Sequence, residues 1–174
     1  MEKEKIIETE HIYKGKIINL DKNKVVCPNN IVSYREIIHH PGGVCILVKI
    51  DDKFVLIKQY RSPYDDFIYE LPAGKLEKGE DPLSAGKREL EEEVGLLASN
   101  WISYGSIYPS VGYTDEIIYL YSVSGITKSK QHLDVDEQIE ICYFSKEELL
   151  KMIDNGDIKD AKTLILLLRY FAEN

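Results

Sequence analysis

Basic residues are the minority charge in this 174-residue chain: 22 Lys and Arg stand against 30 Asp and Glu, a formal net charge of −8. A surface of that sign repels phosphate backbones and anionic lipid, which argues against nucleic acid and membrane surfaces as partners. It does not exclude a small anionic substrate, because a bound metal ion can reverse the field locally. Cysteine is scarce as well. Cys27, Cys45 and Cys142 are scattered with no C-x-x-C pairing, as expected for buried thiols in a reducing compartment rather than a disulfide framework. No apolar run approaches membrane-spanning length, and the opening MEKEKIIETE lacks the apolar segment of a signal peptide, so the expected location is cytoplasmic. Internal repeats, low-complexity linkers and Ser/His/Asp or Cys/His nucleophile patterns are also missing. His39 and His40 are adjacent on a strand and point to opposite faces, which makes them poor partners for one metal. What remains is 44% hydrophobic residues, enough for the core of one ordinary domain, with or without a small appendage.

Residues 5–40 read as three short, charge-rich strands: Ile6 to Tyr13, Lys16 to Leu20 and Ile31 to His39, the last after a turn at Pro28-Asn29-Asn30. A three-stranded antiparallel sheet of this size is marginal alone and needs either the main domain or a second copy of the chain. Pro41-Gly42-Gly43 is the expected boundary, with a small N-terminal sheet over 1–41 and the main domain over 42–174. Val44 to Ile50 and Phe54 to Tyr60 are apolar runs joined by Asp51-Asp52-Lys53, a hairpin of buried strands. Further strands are expected at Trp101 to Tyr108, Glu116 to Val123 and Glu137 to Phe144. A capped helix begins at Ser145 and stops at Asn155-Gly156, and a last helix covers Asp160 to Phe171. Strands around one mid-chain helix, followed by two late helices, imply an α/β sandwich around a mixed sheet.

The organising stretch is GKLEKGEDPLSAGKRELEEEVGL, Gly74 to Leu96. Asp81 is a good N-cap, Pro82 suits the first helical position, and Gly95 sits where the helix ends. At 100° per residue, Glu89, Glu92 and Glu93 share a narrow arc, while Leu83, Leu90 and Val94 form a separate apolar stripe and Glu91 lies opposite the acids. Like charges three and four residues apart repel by roughly 0.2–0.5 kcal/mol per pair, so this face is best explained by a divalent cation. Oxygen ligands at this density suit Mg²⁺ or Mn²⁺.

The spacing of Gly74, Glu80, Arg88-Glu89-Leu90, Glu92-Glu93 and Gly95-Leu96 resembles the Nudix box at every defined position. The resemblance implies the Nudix-type α/β/α sandwich around a mixed sheet, with the small antiparallel N-terminal sheet beside it. Gln59-Tyr60-Arg61, Glu70-Leu-Pro-Ala-Gly74, Tyr108-Pro-Ser110 with Gly112-Tyr-Thr-Asp-Glu116, and Asp160-Ala-Lys-Thr163 resemble the ADP-ribose pyrophosphatase branch. Val111 departs from that branch, where a second proline is common. The implied activity is Mg²⁺-dependent hydrolysis of the pyrophosphate of ADP-ribose, or of a related nucleoside diphosphate sugar, to AMP and a sugar phosphate. The alternatives are a dinucleoside polyphosphate or NADH as substrate, or a catalytically silent ADP-ribose sensor.

Carried over residue by residue, the resemblance makes Ala73 (through its backbone carbonyl), Glu89, Glu92 and Glu93 the metal ligands, Glu92 assisting. Glu92, Glu93 and Arg88 also count among the catalytic residues, Arg88 by pairing with Glu80 to brace the box, with Gly74 and Gly95 structural. The general base is expected on the acidic loop Leu133 to Ile139, with Glu137 first and Asp136 second; a box glutamate is the other option. Arg61 is the candidate for the diphosphate, Glu70 for the ribose or a terminal phosphate-side group, or else as a turn cap, and Glu116 for substrate or metal. Tyr34 and Tyr13 are candidates for stacking on adenine, against the default of a buried core tyrosine. Trp101 reads as a core or interface aromatic. A homodimer is expected, formed through the small sheet.

Overall fold

A computed structural model describes residues 2–133, 135 and 137–174. The chain forms two compact units, Met1–Gly42 with Tyr108–Ile117, and Gly43–Ile107 with Ile118–Asn174.

In the first unit, β1 (Lys5–Lys14), β2 (Asn19–Val26) and β3 (Val32–His39) form an antiparallel sheet in that order. The second strand is not the expected Lys16 to Leu20. Gly15 begins a turn closed by its N–H on the Ile18 carbonyl at 2.9 Å, so pairing starts only at Asn19. The strand then runs through Asp-Lys-Asn-Lys, residues of low strand preference. It persists because it is central and hydrogen-bonded on both edges, which overrides local propensity. The 108–117 segment joins this unit: the Ile38 N–H donates to the Tyr113 carbonyl and the Asp115 N–H to the Ile38 carbonyl. His39 lies between two carboxylates, Asp115 at Nδ1 and Asp21 at Nε2, and Asp21 also meets His11.

The second unit is built on a seven-stranded mixed sheet. Its main path is β10 (Ile139–Phe144), β5 (Lys53–Arg61), β4 (Gly43–Ile50), β9 (Ile118–Lys128) and β8 (Leu96–Ile107), with β4 and β9 parallel. The β4–β5 hairpin turns at Asp51 and Asp52, both at positive φ, the conformation whose twist matches antiparallel strands. These two strands pair only near the turn. Beyond it they part, and two short strands fill the gap: β6 (Asp66–Glu70) pairs with β5 and β7 (Ala73–Lys75) with β4. β8 and β9 both outrun the expected strands, starting at Leu96 and ending at Lys128. Their outer halves, rich in Ser, Asn and Thr, lack an apolar alternation and are held by pairing along their whole length.

The period of two in the apolar runs sorts the core into layers. Val44, Ile46, Val48, Val55 and Ile57 pack with Ala85, Leu90 and Val94 of α1 (Pro82–Val94). Their neighbours Cys45, Leu47, Phe54 and Leu56 pack on the other face with Leu149 of α2 (Lys146–Asp154) and Leu166 and Leu167 of α3 (Ala161–Glu173). The result is the α/β/α sandwich that the sequence implied. Asp81 accepts the Ser84 N–H as N-cap of α1, Gly95 closes that helix at φ +64°, and Ser145 and Glu148 form a reciprocal capping box on α2.

The hydrogen bond to Asp115 raises the pKa of His39 above its ordinary value, with Asp21 adding to the effect. A raised histidine contributes stability that is complete below the unfolded-state pKa of about 6.5 and disappears as pH rises through the folded value. Thermal unfolding of the parent is expected to lose stability across that window, and His39→Gln is expected to flatten this part of the profile.

Candidate functional site

The splayed strands β4 and β5 set the geometry. The segment from Glu70 to Ala73 crosses the gap between them, held by the Ile46 N–H on the Pro72 carbonyl at 2.8 Å. From the α1 side, Glu93 reaches it: Oε2 accepts the Ala73 N–H at 2.8 Å. Gly74 follows, and a Cβ there would lie 1.8 Å from the Glu89 carboxyl carbon, so the glycine is the space in which that carboxylate sits.

Arg88 ties the box together with every N–H it has. Nε and Nη2 fork onto Glu80 at 3.0 and 2.9 Å, Nη2 also reaches the Lys75 carbonyl at 3.0 Å, and Nη1 donates to Glu89 and Glu92 at 2.8 and 2.9 Å. This is the expected Arg88–Glu80 brace, extended to two of the acids. The hydrogen bond from Arg88 holds the Glu80 carboxyl below its usual range.

The three acids of the arc are unequally exposed. Glu93 is 3% accessible. Burial pushes its pKa well above the carboxylate range, with the charges of Glu89, Glu137 and Glu70 adding to the shift against the Ala73 N–H. Burial also raises Glu89, where Arg88 opposes the shift and the charges of Glu92 and Glu137 reinforce it. One oxygen of each acid is committed to a donor; among the described residues the other accepts no hydrogen bond. Glu137 therefore acts electrostatically on both inner acids. Asp136, the second base candidate, lies outside the described residues.

The donor chemistry fits a hard divalent cation: carboxylate oxygens, no thiol or imidazole, and burial that penalises the very charges a cation would neutralise. Among the described residues, no group of three or more His, Cys, Asp and Glu side chains is already drawn onto one cation position. Ala73 enters the arrangement through its N–H, beside which its carbonyl role remains an expectation.

Arg61 and Glu70, expected on the substrate side, meet each other. Arg61 Nε and Nη2 donate to the two Glu70 oxygens, and Lys162 Nζ donates to Glu70 Oε2. Glu116 and Tyr34 belong to the first unit. Glu116 faces His40 Nδ1 at 3.3 Å, and Tyr34 is 54% exposed with Lys22 Nζ 5.1 Å from its ring centroid. Tyr13, at 57%, is likewise exposed rather than a core tyrosine. Trp101 is a packing aromatic against Gly86 and Tyr121.

Two features escaped sequence reasoning. Lys162 and Thr163 stood in the Asp160–Thr163 stretch that resembles the ADP-ribose pyrophosphatase branch, but their grip on Glu70 and Leu71 was not foreseen. The segment 129–132 docks on the open carbonyls of the α1 C-terminus: Ser129 N–H on Gly95, Gln131 Nε2 on Glu93 and His132 N–H on Glu92, at 2.7, 2.6 and 2.9 Å. No motif marks it; the only cue is that such carbonyls need donors.

Gly74→Ala is expected to fold, since the clash falls on the end of a flexible side chain, but to displace Glu89 and lower turnover sharply; circular dichroism and a hydrolysis assay check this together. Glu93→Gln keeps an acceptor for the Ala73 N–H and removes a charge whose raised pKa makes ionisation cost stability as pH climbs above about 4.3, the unfolded-state value. In chelator-treated protein it is expected to raise the unfolding temperature at neutral pH relative to the parent, with the difference vanishing on acidification below that value.

Comparison with known proteins bears on the family and the fold. The NUDIX domain model matches residues 39–167. An ADP-ribose pyrophosphatase of Bacillus subtilis (strain 168) is 40% identical over 163 residues, 92% of this chain and 88% of that protein. A methanol dehydrogenase activator of Bacillus methanolicus is 41% identical over 165 residues, 93% and 89% of the two chains. A solved structure described as an ADP compounds hydrolase superposes with a TM-score of 0.87 over 99% of this chain and 96% of that one; at 17% identity it supports the fold. A box helix carrying its acids on one face, braced by Arg88 and set on this sandwich, therefore has a family: the chain belongs to the NUDIX domain family.

Proposed function

We propose that this chain is a Nudix pyrophosphohydrolase that cleaves ADP-ribose, or a closely related nucleoside diphosphate sugar, to AMP and a sugar phosphate. The observation that carries the reading is the acid face of α1, with Glu93 and Glu89 sunk beside the Glu70–Gly74 crossing and held by Arg88. Glu89, Glu92, Glu93 and the Ala73 carbonyl would hold Mg²⁺, with Mn²⁺ an acceptable substitute. Bound there, the metal supplies charge neutralisation at the diphosphate and acidifies a water.

The protein groups divide the remaining work. Arg61 spends Nε and Nη2 on Glu70, which leaves Nη1 for a diphosphate oxygen. Glu137 is the first candidate for the general base that takes a proton from the attacking water, supported by its electrostatic influence on Glu89 and Glu93, with Asp136 or a box glutamate as the alternative. Arg88 serves catalysis by holding, with Glu80, the loop on the helix. The remaining assignments are Glu70 for the ribose side, Tyr34 for adenine and Glu116 for substrate or metal. The substrate is a small nucleotide sugar, the protein acts in the cytoplasm, and the small sheet joins two copies into a homodimer. Support for ADP-ribose comes from the relatives of that name in Bacillus subtilis and, at 35% identity, in Mycobacterium tuberculosis.

A second reading, a different nucleoside diphosphate derivative, is kept open by the equal likeness to a methanol dehydrogenase activator, a relative not named for ADP-ribose. A substrate panel with mass-resolved products decides between them. Glu92→Gln is expected to lower Mg²⁺-dependent turnover by about 10²-fold or more with folding intact, the order that loss of one charge-stabilising group costs. Full turnover in that folded variant would refute the site, and binding of ADP-ribose by the parent without its Mg²⁺-dependent loss would mark a silent sensor instead.

A further inference from the structure

Lys162 is a buried ammonium for which the hydrolytic reading has no use. Its side chain is 14% exposed, and it donates to Glu70 and, at 3.0 Å, to Asp160, the N-cap of α3. Burial alone would lower its pKa, but the charges of Asp160 and Glu70 outweigh that and hold the ammonium above the ordinary lysine range. Glu70 is itself 2% accessible and stays ionised because Arg61 and Lys162 together overcome its desolvation. The four groups thus form an alternating chain, Arg61, Glu70, Lys162, Asp160, with no net charge. Beside it the fully buried Thr163 accepts the Leu71 N–H at 2.8 Å, so α3 grips two consecutive residues of the crossing segment.

Attachment of α3 does not need this charge. Leu166 and Leu167 already seat the helix on the sheet. Apolar residues of similar volume commonly replace a buried ion pair at no cost or with a gain in stability, because desolvating the ions consumes most of their attraction. What the ion chain does that packing cannot is fix an angle. With Lys162 on Oε2, the Glu70 carboxylate cannot rotate, and the forked Arg61 guanidinium keeps one orientation, with Nη1 uncommitted among the described residues.

We propose that Lys162 is a positioning residue for Arg61: acting through Glu70, it orients the guanidinium that meets the substrate diphosphate. The proposal rests on the assignment of Arg61 to that diphosphate and goes beyond it by naming what aims the arginine from the far side of the sheet.

The test is a double-mutant cycle on full-length protein with Mg²⁺ and ADP-ribose, accompanied by an NMR readout of the Arg61 Nε–H. Lys162→Met is expected to unfold at or above the parent's temperature, to raise KM about tenfold, the scale of one charge-assisted hydrogen bond, and to leave kcat within about twofold of the parent. Combined with Arg61→Met, it is expected to add nothing further, since both changes remove one interaction. The Arg61 Nε–H is expected to exchange faster and broaden in Lys162→Met without any substrate present. A folded Lys162→Met with the parent's KM, or an additive double variant, overturns the proposal. So does an unchanged Arg61 signal. If Lys162→Met does not fold, Lys162→Gln, which keeps one donor toward Glu70, is read the same way. If the parent does not hydrolyse ADP-ribose, the reaction assignment fails on its own, and the NMR arm alone decides whether Lys162 holds Arg61.

Discussion

The guanidinium of Arg88 is the joint on which the site depends. Five N–H groups meet five acceptor contacts on Glu80, Lys75, Glu89 and Glu92, drawn from the loop before the helix and from the helix itself. Without it the acids of α1 would face one another with only water between. With it, two of them share a neutralising partner while Glu93 turns inward. A lysine would offer one point of charge in place of this planar fork and could not span the same partners.

The sheet makes room for this joint by failing to close. Strands β4 and β5 meet at their turn and then part, and the chain returns through the opening twice, as β6 and β7. The crossing between them is gripped from both faces: Glu93 of α1 takes the Ala73 N–H, while Thr163 and Lys162 of α3 take the Leu71 N–H and the Glu70 carboxylate. The candidate chemistry therefore lies on a segment whose backbone is fixed by side chains from two opposed helices, which is how a loop acquires the precision of a regular element.

Much of this was legible in the residues, and the pattern of what was not is physical. Local rules sufficed where the cause is local: the Asp81 and Ser145 caps, the Gly95 stop, the acid arc at 100° steps and the Arg88–Glu80 brace all appear where spacing placed them. The layers followed from apolar runs whose alternate residues face α1 on one side and α2 and α3 on the other. Strand limits failed where pairing, not propensity, decides, as in the charged β2 and the polar ends of β8 and β9. In the site, Glu70 read as a substrate-side carboxylate, and nothing nearby in sequence reveals that Lys162, 92 residues on, comes to claim it. Tyr34 and Tyr13, candidates for adenine stacking set against a core default, are both exposed, because a single three-stranded sheet is too thin to bury them.

The docking of residues 129–132 along the last turn of α1 ties two parts of the chain together. Ser129, Gln131 and His132 are fastened to the helix's own carbonyls, those of Gly95, Glu93 and Glu92. A shift of this segment is therefore felt at the backbone of Glu92 and Glu93, whose carboxylates belong to the acid face.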